Sequence, residues 1–367
     1  MKIGIDARLY GTQHTGIGRY TKNLILNLAR VDKKNQYIIF GGQEAKQDIA
    51  KFKNFKWVKL TTKPYTFAEQ TINPIIFSRH KLDLLHVPHF NAPLLYSGKL
   101  IITIHDLIKH LSTGVKTSTL PSWQYWLKHF VYKAFIFLII QKADQVITPS
   151  NYWKEKLASL YPIKAAKISV TYEATDKKIT SAKKPSQILI KYNLTKPYII
   201  YVGNLYPHKN VPFLLKALKK FNATHEHKLT LALTCARNAF SDKIKTDEYI
   251  KPLGYVSDQD LSTLYSQSLS LVQPSLIEGF GLTGLEAMSN NTPVLSSNAT
   301  CLPEVYADAA SYFNPKDEND LINKLEEILT NTKLRQDLIE KGRKRAKQFS
   351  WYKTAKQTFQ VYKKFNK

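Results

Sequence analysis

Cysteine is nearly absent. Cys235 and Cys301 are the only two in 367 residues, which excludes a disulfide framework or a cysteine-rich metal site and predicts a reducing compartment. Long apolar runs are missing too: the longest, AFIFLII at 134–140, falls far short of the roughly 20 residues a membrane span needs. The opening MKIGIDARLY turns charged at Asp6 and Arg8, so it lacks a signal-peptide core and reads as a buried first strand. These absences predict a cytoplasmic protein. Acidic side chains are scarce, with 28 Asp+Glu against 54 Lys+Arg and a net charge of +26. Such an excess attracts nucleic acid, anionic lipid or phosphorylated substrates, or simply keeps a lysine-rich surface solvated. Zinc-finger spacing, an RNP-like aromatic strand and a long basic tail are lacking, which argues against nucleic acid and favours lipid or phosphate. Glycine is thin as well, at 14 residues, about half the ordinary share of roughly 7%.

What is present points to two domains. A chain of this length exceeds what one core usually supports, and 43% hydrophobic with 22% charged residues is a soluble globular composition. Strand patterns at 2–7, 37–40, 83–88, 100–106 and 145–150 alternate with helical patterns near 17–30, 65–79, 119–142 and 151–160. The alternation restarts with strands at 198–204, 229–234, 269–275 and 293–298, and helices from Val211, over 260–267 and after Gly281. Alternation of this kind predicts α/β architecture with two consecutive doubly wound parallel sheets. Residues 1–175 form the predicted first domain, the polar, lysine-rich 176–190 the linker, 191–345 the second domain, and 346–367 a terminal helix. Ligands in such sheets bind beyond the carboxyl ends of the strands, so the predicted site is the cleft between the two domains.

Several strand-end loops carry candidate chemistry. Gly16 and Gly18 follow the first strand and adjoin a helix, where glycines let backbone N–H groups approach an anion, or merely form a turn. His105 and Asp106 end the strand LIITIHD, and His86 and His89 lie at another strand end. A histidine there either serves a substrate hydroxyl or is a structural residue bonded to backbone. Several imidazoles are expected to face one cleft, though not with metal-ligand spacing. Lys209 stands just before a helix whose Phe213, Leu214, Ala217 and Leu218 recur at helical spacing. It is either a diphosphate ligand at a helix terminus or one surface lysine among many.

The densest signal is PSLIEGFGLTGLEAM at 274–288, where Gly279, Gly281 and Gly284 crowd between Glu278 and Glu286. On one continuous helix those carboxylates would be about 12 Å apart along the axis. A helix starting only at Gly281 puts Glu278 in the preceding loop and Glu286 in the second turn, so the pair addresses two parts of an elongated ligand. Carboxylates accept from vicinal hydroxyls, and the N–H groups of Phe280, Gly281 and Leu282 point at an anion between them. Sugar, diphosphate and ribose in that order describe a nucleotide-sugar; a glycine-rich turn with solvated glutamates is the plainer alternative.

These residues carry a family resemblance. Residues 254–310, with the E-x7-E pair at Glu278 and Glu286, resemble the donor half of glycosyltransferase family 4, the retaining GT-B enzymes. The likeness runs through IGIDAR, TGIGRY, TIHDL, ADQVITPS, VGNLYPHKN and FSWYKTA, nearly the whole chain. It implies a GT-B fold, two Rossmann-like domains facing across a cleft, with the terminal helix returning to the first. Glu278 is implied to contact the donor sugar, Glu286 the ribose and Lys209 the diphosphate, supported by the amides of the GFG segment. Val256 is implied to hold the base, His105 to face the transferred sugar, and Gly16 and Gly18 to lie beneath the phosphates. Asn204 stands where many members carry arginine, so one diphosphate partner is absent or replaced, for example by His208. Thr283, Gly284 and Asn291 also depart from the family pattern.

The resemblance implies a retaining, metal-independent hexosyltransferase that needs no cofactor beyond its nucleotide-diphosphate sugar donor, with GDP-mannose the first guess. Its acceptor is expected to be a lipid-linked or oligosaccharide glycan of surface polysaccharide synthesis. A GT-B-fold epimerase or phosphorylase, or a non-catalytic lipid- or nucleic-acid-binding module, are the alternatives. The acidic Asp258 and Asp260 are explained by helix capping from Ser257. Residues 116–144 combine Trp123, Tyr125, Trp126 and Tyr132 with Lys128 and Lys133. This is either an interfacial helix resting on the anionic inner face of the cell membrane or a core helix with an aromatic stripe.

Overall fold

The computed structural model describes residues 1–11, 15–114, 118, 120–175, 184–235 and 247–366. In chain order the elements begin β1 (Lys2–Ala7), α1 (Thr15–Val31), β2 (Gln36–Gly41), α2 (Gln43–Ile49), β3 (Phe55–Lys59), α3 (Phe67–Arg79), β4 (Leu84–Val87) and β5 (Leu100–Thr103). They continue with α4 (Ile108–Leu111), α5 (Ser122–Lys142), β6 (Gln145–Thr148), α6 (Asn151–Leu160), β7 (Ile168–Val170), α7 (Pro185–Lys191), β8 (Tyr198–Val202) and α8 (Val211–Thr224). Then come β9 (Thr230–Thr234), β10 (Ile250–Gly254), α9 (Asp258–Gln267), β11 (Ser270–Gln273), α10 (Leu282–Ser289) and β12 (Val294–Ser297). The last are α11 (Leu302–Tyr306), β13 (Ser311–Phe313), α12 (Glu318–Thr330), α13 (Thr332–Ala346) and α14 (Trp351–Lys363).

The chain divides into two compact units, one comprising Met1–Leu107, Ser122–Ala174 and Ser350–Lys367, the other Ile108–Pro121 and Thr175–Phe349. The first holds a seven-stranded sheet in the order β3-β2-β1-β4-β5-β6-β7 and the second a six-stranded sheet in the order β10-β9-β8-β11-β12-β13. Every strand pair is parallel. Counted from its own first strand, each sheet opens 3-2-1-4-5-6, the doubly wound order whose direction of growth reverses once. That reversal falls between β1 and β4 in the first unit and between β8 and β11 in the second.

Helices on both faces account for the strand composition. The central strands β4, β5, β6, β11 and β12 are buried along their whole length, which selects continuous apolar runs rather than alternation. Edge strands differ: β3 is FKWVK with only Phe55 buried, and β10 carries Pro252, which a central ladder would not tolerate. In the first unit α14 packs on α1, with Trp351 edge-on to Tyr20 at 5.9 Å and Thr354 Oγ1 donating to Tyr172 O at 2.7 Å.

Three expectations change. Part of the predicted linker is helical, because Pro185 sits at the first turn of α7, where its missing N–H costs nothing; residues 176–183 lie outside the described set. Gly16 and Gly18 lie within the first turn of α1 rather than ahead of it. The helix α5 is not a core helix: of its 21 residues only Ile136, Ile139 and Ile140 are buried.

Candidate functional site

At the reversal point of the second unit, β8 gives way to Gly203 and Asn204, and a short 3-10 turn, Pro207–Lys209, leads into α8. The junction residue Asn210 adopts φ 59°, a left-handed conformation that asparagine tolerates better than most. Its Nδ2 donates to Pro274 O at 3.1 Å and Pro315 O at 2.9 Å. This ties the loop after β8 to the loop after β11.

Across that tie Lys209 meets Glu278. Lys209 Nζ donates to Glu278 Oε2 at 2.7 Å, while Oε1 accepts from Ser275 Oγ at 2.6 Å and Gln273 Nε2 at 3.0 Å. The Glu278 N–H donates to Thr300 Oγ1 at 3.2 Å, and its carbonyl accepts from Cys301 Sγ at 3.3 Å. Glu278 is buried. Burial pushes its carboxyl up, but the Lys209 charge and the hydrogen bonds outweigh this and hold it below the usual carboxylate range. The result is a fixed, ionised acceptor at the end of a strand.

Three residues further on, Gly281 at φ 102° opens α10. A Cβ there would stand 2.5 Å from Tyr306 Oη, and one on Gly284 would stand 2.3 Å from Tyr306 Cζ. Tyr306 Oη lies 2.6 Å from Gln273 Oε1 and 2.7 Å from Gly281 O, so the glycines admit a buried phenol that braces the loop. The segment is a packed turn, not a flexible hinge. Phe280 is buried, edge-on to Phe349 at 5.7 Å. Leu282 is the first residue of α10, and the half-buried Glu286 occupies its second turn. After burial itself, the Glu286 charge is the next largest cause raising the Tyr265 phenol well above its ordinary value.

The remaining predicted residues of this unit lie on neighbouring loops. Asn204 accepts from Tyr206 N–H at 3.3 Å and from Tyr201 Oη at its carbonyl, 2.6 Å. Val256 is buried between β10 and α9. Burial and the adjacent Lys209 push His208 down to about 4. Ser257 Oγ accepts from Asp260 N–H at 3.2 Å, as the capping pattern predicts, and Asp260 accepts from Lys191 and from Tyr192 Oη, the latter at 2.9 Å.

In the first unit His105 follows β5. Its Nδ1 lies 2.7 Å from Glu173 Oε1 and its Nε2 3.1 Å from Pro88 O. The Pro88 carbonyl and an ionised Glu173 both accept, an arrangement that favours the doubly protonated ring. Burial lowers its pKa, and the Glu173 bond and charge outweigh that to leave it raised. The Tyr20 ring from α1 stands edge-on to it at 4.6 Å, which places the helix bearing the exposed Gly16 and the buried Gly18 next to His105. His86 does not join it at a strand-end surface. It is fully buried within β4, bonded to Tyr362 Oη at 2.6 Å and Thr103 Oγ1 at 2.9 Å, and burial pushes it down to about 3. His89 is buried and accepts from Asn91 N–H at 3.1 Å.

One further cluster joins residues far apart in the sequence. At the first unit's reversal point Arg8 Nη2 bonds Asp6 Oδ2 at 2.6 Å and Glu69 Oε1 at 2.5 Å. Glu69, wholly buried in α3, also accepts from Tyr65 N–H and Asn91 Nδ2, each at 2.7 Å. The signal available was two charges, Asp6 and Arg8, ending an otherwise apolar strand. For Glu278 it was Gln273 and Ser275 closing the strand LSLVQPS, and for His105 it was Glu173 just past β7. Among the described residues no group of three or more His, Cys, Asp or Glu is placed to hold a metal ion.

Comparison with known proteins follows the division into units. Residues 187–345 match the family described as Glycosyl transferases group 1, and residues 14–178 match Glycosyltransferase Family 4. The chain is 29% identical to O-antigen chain mannosyltransferase B of Escherichia coli, covering 95% of this chain and 96% of that protein. It is 31% identical to O-antigen chain mannosyltransferase RfbU of Salmonella typhimurium over 60% of this chain and 62% of the relative. Among solved structures, HepE of Anabaena in complex with UDP and glucose superposes with a TM-score of 0.73 at 16% identity, covering 99% of this chain and all of that one.

Proposed function

Since the chain belongs to the glycosyltransferases of group 1 and family 4, we propose that it transfers mannose, with retention at the anomeric carbon, from GDP-mannose to a lipid-linked or oligosaccharide acceptor in O-antigen or related surface-polysaccharide synthesis. The mannosyl donor and polysaccharide context rest on the names of the two O-antigen relatives. The observation that carries the reading is the ion pair of Lys209 with the buried Glu278 at the reversal point of the second unit, Glu278 lying just ahead of α10.

The chemistry follows from charge placement. Breaking the glycosyl–phosphate bond loads negative charge onto the departing nucleoside diphosphate, and fixed donors aimed there stabilise the transition state. Lys209 supplies an ammonium, and the N–H groups of Phe280, Gly281 and Leu282 supply dipoles at the start of a helix. Glu278, held ionised, accepts from sugar hydroxyls, and Glu286 from the ribose. Asn204 and Val256 line the diphosphate and base ends. On the acceptor-side unit, His105 Nε2 donates toward the transferred sugar by exchanging its Pro88 carbonyl partner, and Gly16 and Gly18 give the phosphates a close approach to backbone. The acceptor oxygen bonds to the anomeric carbon on the face the phosphate leaves, and the phosphate takes the acceptor's proton. Positive charge from Lys209 and the helix start makes the reaction independent of metal.

The test is transfer and binding across GDP-, UDP- and dTDP-sugars in the presence of a chelator, with the anomeric configuration of the product read by NMR. Transfer from GDP-mannose with an axial product linkage supports the reading. Release of an epimer or of sugar phosphate, or inversion, overturns it.

A further inference from the structure

The helix α5 is turned inside out. It buries Ile136, Ile139 and Ile140 but exposes Trp123, Trp126, Leu127, Phe130, Phe137 and Leu138. The spacing of these six keeps them on one side of a 3.6-residue helix. Trp123 is 68% exposed, Trp126 52% and Phe130 72%, far beyond the scattered single apolar residues that a surface normally carries. Lys128 and Lys133 are exposed on the same helix, and its 21 residues contain no acidic side chain.

The opposite side of α5 faces the protein. Tyr132, which the same periodicity sets across the helix from Trp123, Trp126 and Phe130, is edge-on to Phe90 at 5.5 Å, and Phe90 in turn meets Tyr65 at 6.2 Å.

We infer that this face of α5 is where the chain docks on an anionic lipid bilayer, its aromatic side chains entering the headgroup layer. The inference rests on the proposed lipid-linked acceptor, which such a contact would bring within reach of the chain. Charge selects the occupant. A second copy of this chain would bring lysine against lysine under a net charge of +26, whereas an anionic leaflet accepts both the aromatic side chains and the flanking lysines. No helix among the described residues is long and apolar enough to cross a membrane, so the contact is interfacial.

Co-sedimentation of the full chain with phosphatidylcholine vesicles, with and without phosphatidylglycerol, tests it. Binding to the anionic vesicles should be at least about tenfold tighter at low salt, because each lysine near the surface adds to the attraction, and should weaken as salt rises. Tryptophan fluorescence should shift to the blue on binding. Trp126→Glu with Phe130→Glu should abolish sedimentation, and Lys128→Glu with Lys133→Glu should erase the lipid preference, both proteins keeping the wild-type circular dichroism. Equal sedimentation with both vesicle types at low salt, or undiminished binding by the Trp126→Glu, Phe130→Glu protein, overturns the inference. So does a concentration-dependent dimer that these substitutions dissociate. Calorimetric binding of GDP-mannose without vesicles separates the two readings: intact donor binding with no vesicle binding defeats only the membrane face.

Discussion

Lys209 Nζ lies 2.7 Å from Glu278 Oε2, an ion pair between a half-buried lysine and a buried glutamate that joins the loop after β8 to the loop after β11. Removing one member leaves the other charged and enclosed, which costs about 3–5 kcal/mol, whereas removing both is far milder. Lys209→Met should therefore lower the unfolding midpoint of the chain, and Lys209→Met with Glu278→Gln should recover most of it. Transfer activity should stay lost in both proteins. Denaturant unfolding alongside donor binding checks this; recovery of activity in the double variant would remove the pair from the donor site.

Acid should weaken the fold before the carboxylates titrate. His86 and His208 are depressed to about 3 and about 4 from an ordinary 6.5, so between those values the unfolded chain binds protons that the folded one does not. Their stabilisation is complete above pH 6.5 and declines as pH falls toward the folded values, by up to about 1.4 kcal/mol per unit for each group. Glu278 adds a loss below its ordinary 4.5. His105, with its raised pKa, acts in the opposite sense: its contribution is full below 6.5 and is lost as pH rises through its folded value. Unfolding curves at pH 7, 6 and 5 should shift steadily downward, and His86→Gln should flatten that trend.

Two glycines should respond oppositely to alanine. Gly284→Ala places a Cβ 2.3 Å from the Tyr306 ring, and the overpacking should cost about 1–3 kcal/mol and weaken donor binding by displacing the phenol that braces Gly281. Gly16→Ala meets nothing within 4 Å and should leave stability equal or improved by up to about 1 kcal/mol through helix propensity. If Gly16 lies beneath the donor phosphates as proposed, transfer should nonetheless fall; unchanged transfer by the well-folded variant would take Gly16 out of the site.

Arg8 is expected to resist conservative replacement. Its guanidinium reaches Asp6 and Glu69 together with Thr62 O, a fork that a lysine ammonium does not reproduce. Arg8→Lys should lower the thermal midpoint of the chain and, if the first unit takes the acceptor as proposed, should raise KM for acceptor more than KM for donor. An unaltered melting curve would show that the cluster carries little of the fold.

The legibility of the fold followed burial. The nine strands that stood out in the sequence, among them β4, β5, β6, β11 and β12, are central; the four that did not, β3, β7, β10 and β13, are the edges of the two sheets. An edge strand is covered on fewer sides, so FKWVK and IKPLG need no continuous apolar run. The candidate site was readable where its residues were close in sequence, as with Glu278, Gly281 and Glu286. It was unreadable where a residue's setting depended on partners far along the chain: Glu173 for His105, Glu69 for Arg8, and Tyr306 for the glycines.

Alternating apolar runs and helical periods by themselves determined two doubly wound sheets, because burial on both faces of a parallel strand leaves a composition that few other environments demand. The E-x7-E segment, its flanks and the motifs along the rest of the chain carried the resemblance to a family that the family models match. Tertiary structure alone decided which charges are neutralised, since an ion pair needs three-dimensional proximity that local sequence does not encode. It also decided the orientation of α5: aromatic residues at helical spacing suit a core and a surface equally, and only the packing of Ile136, Ile139 and Ile140 turned the tryptophans outward.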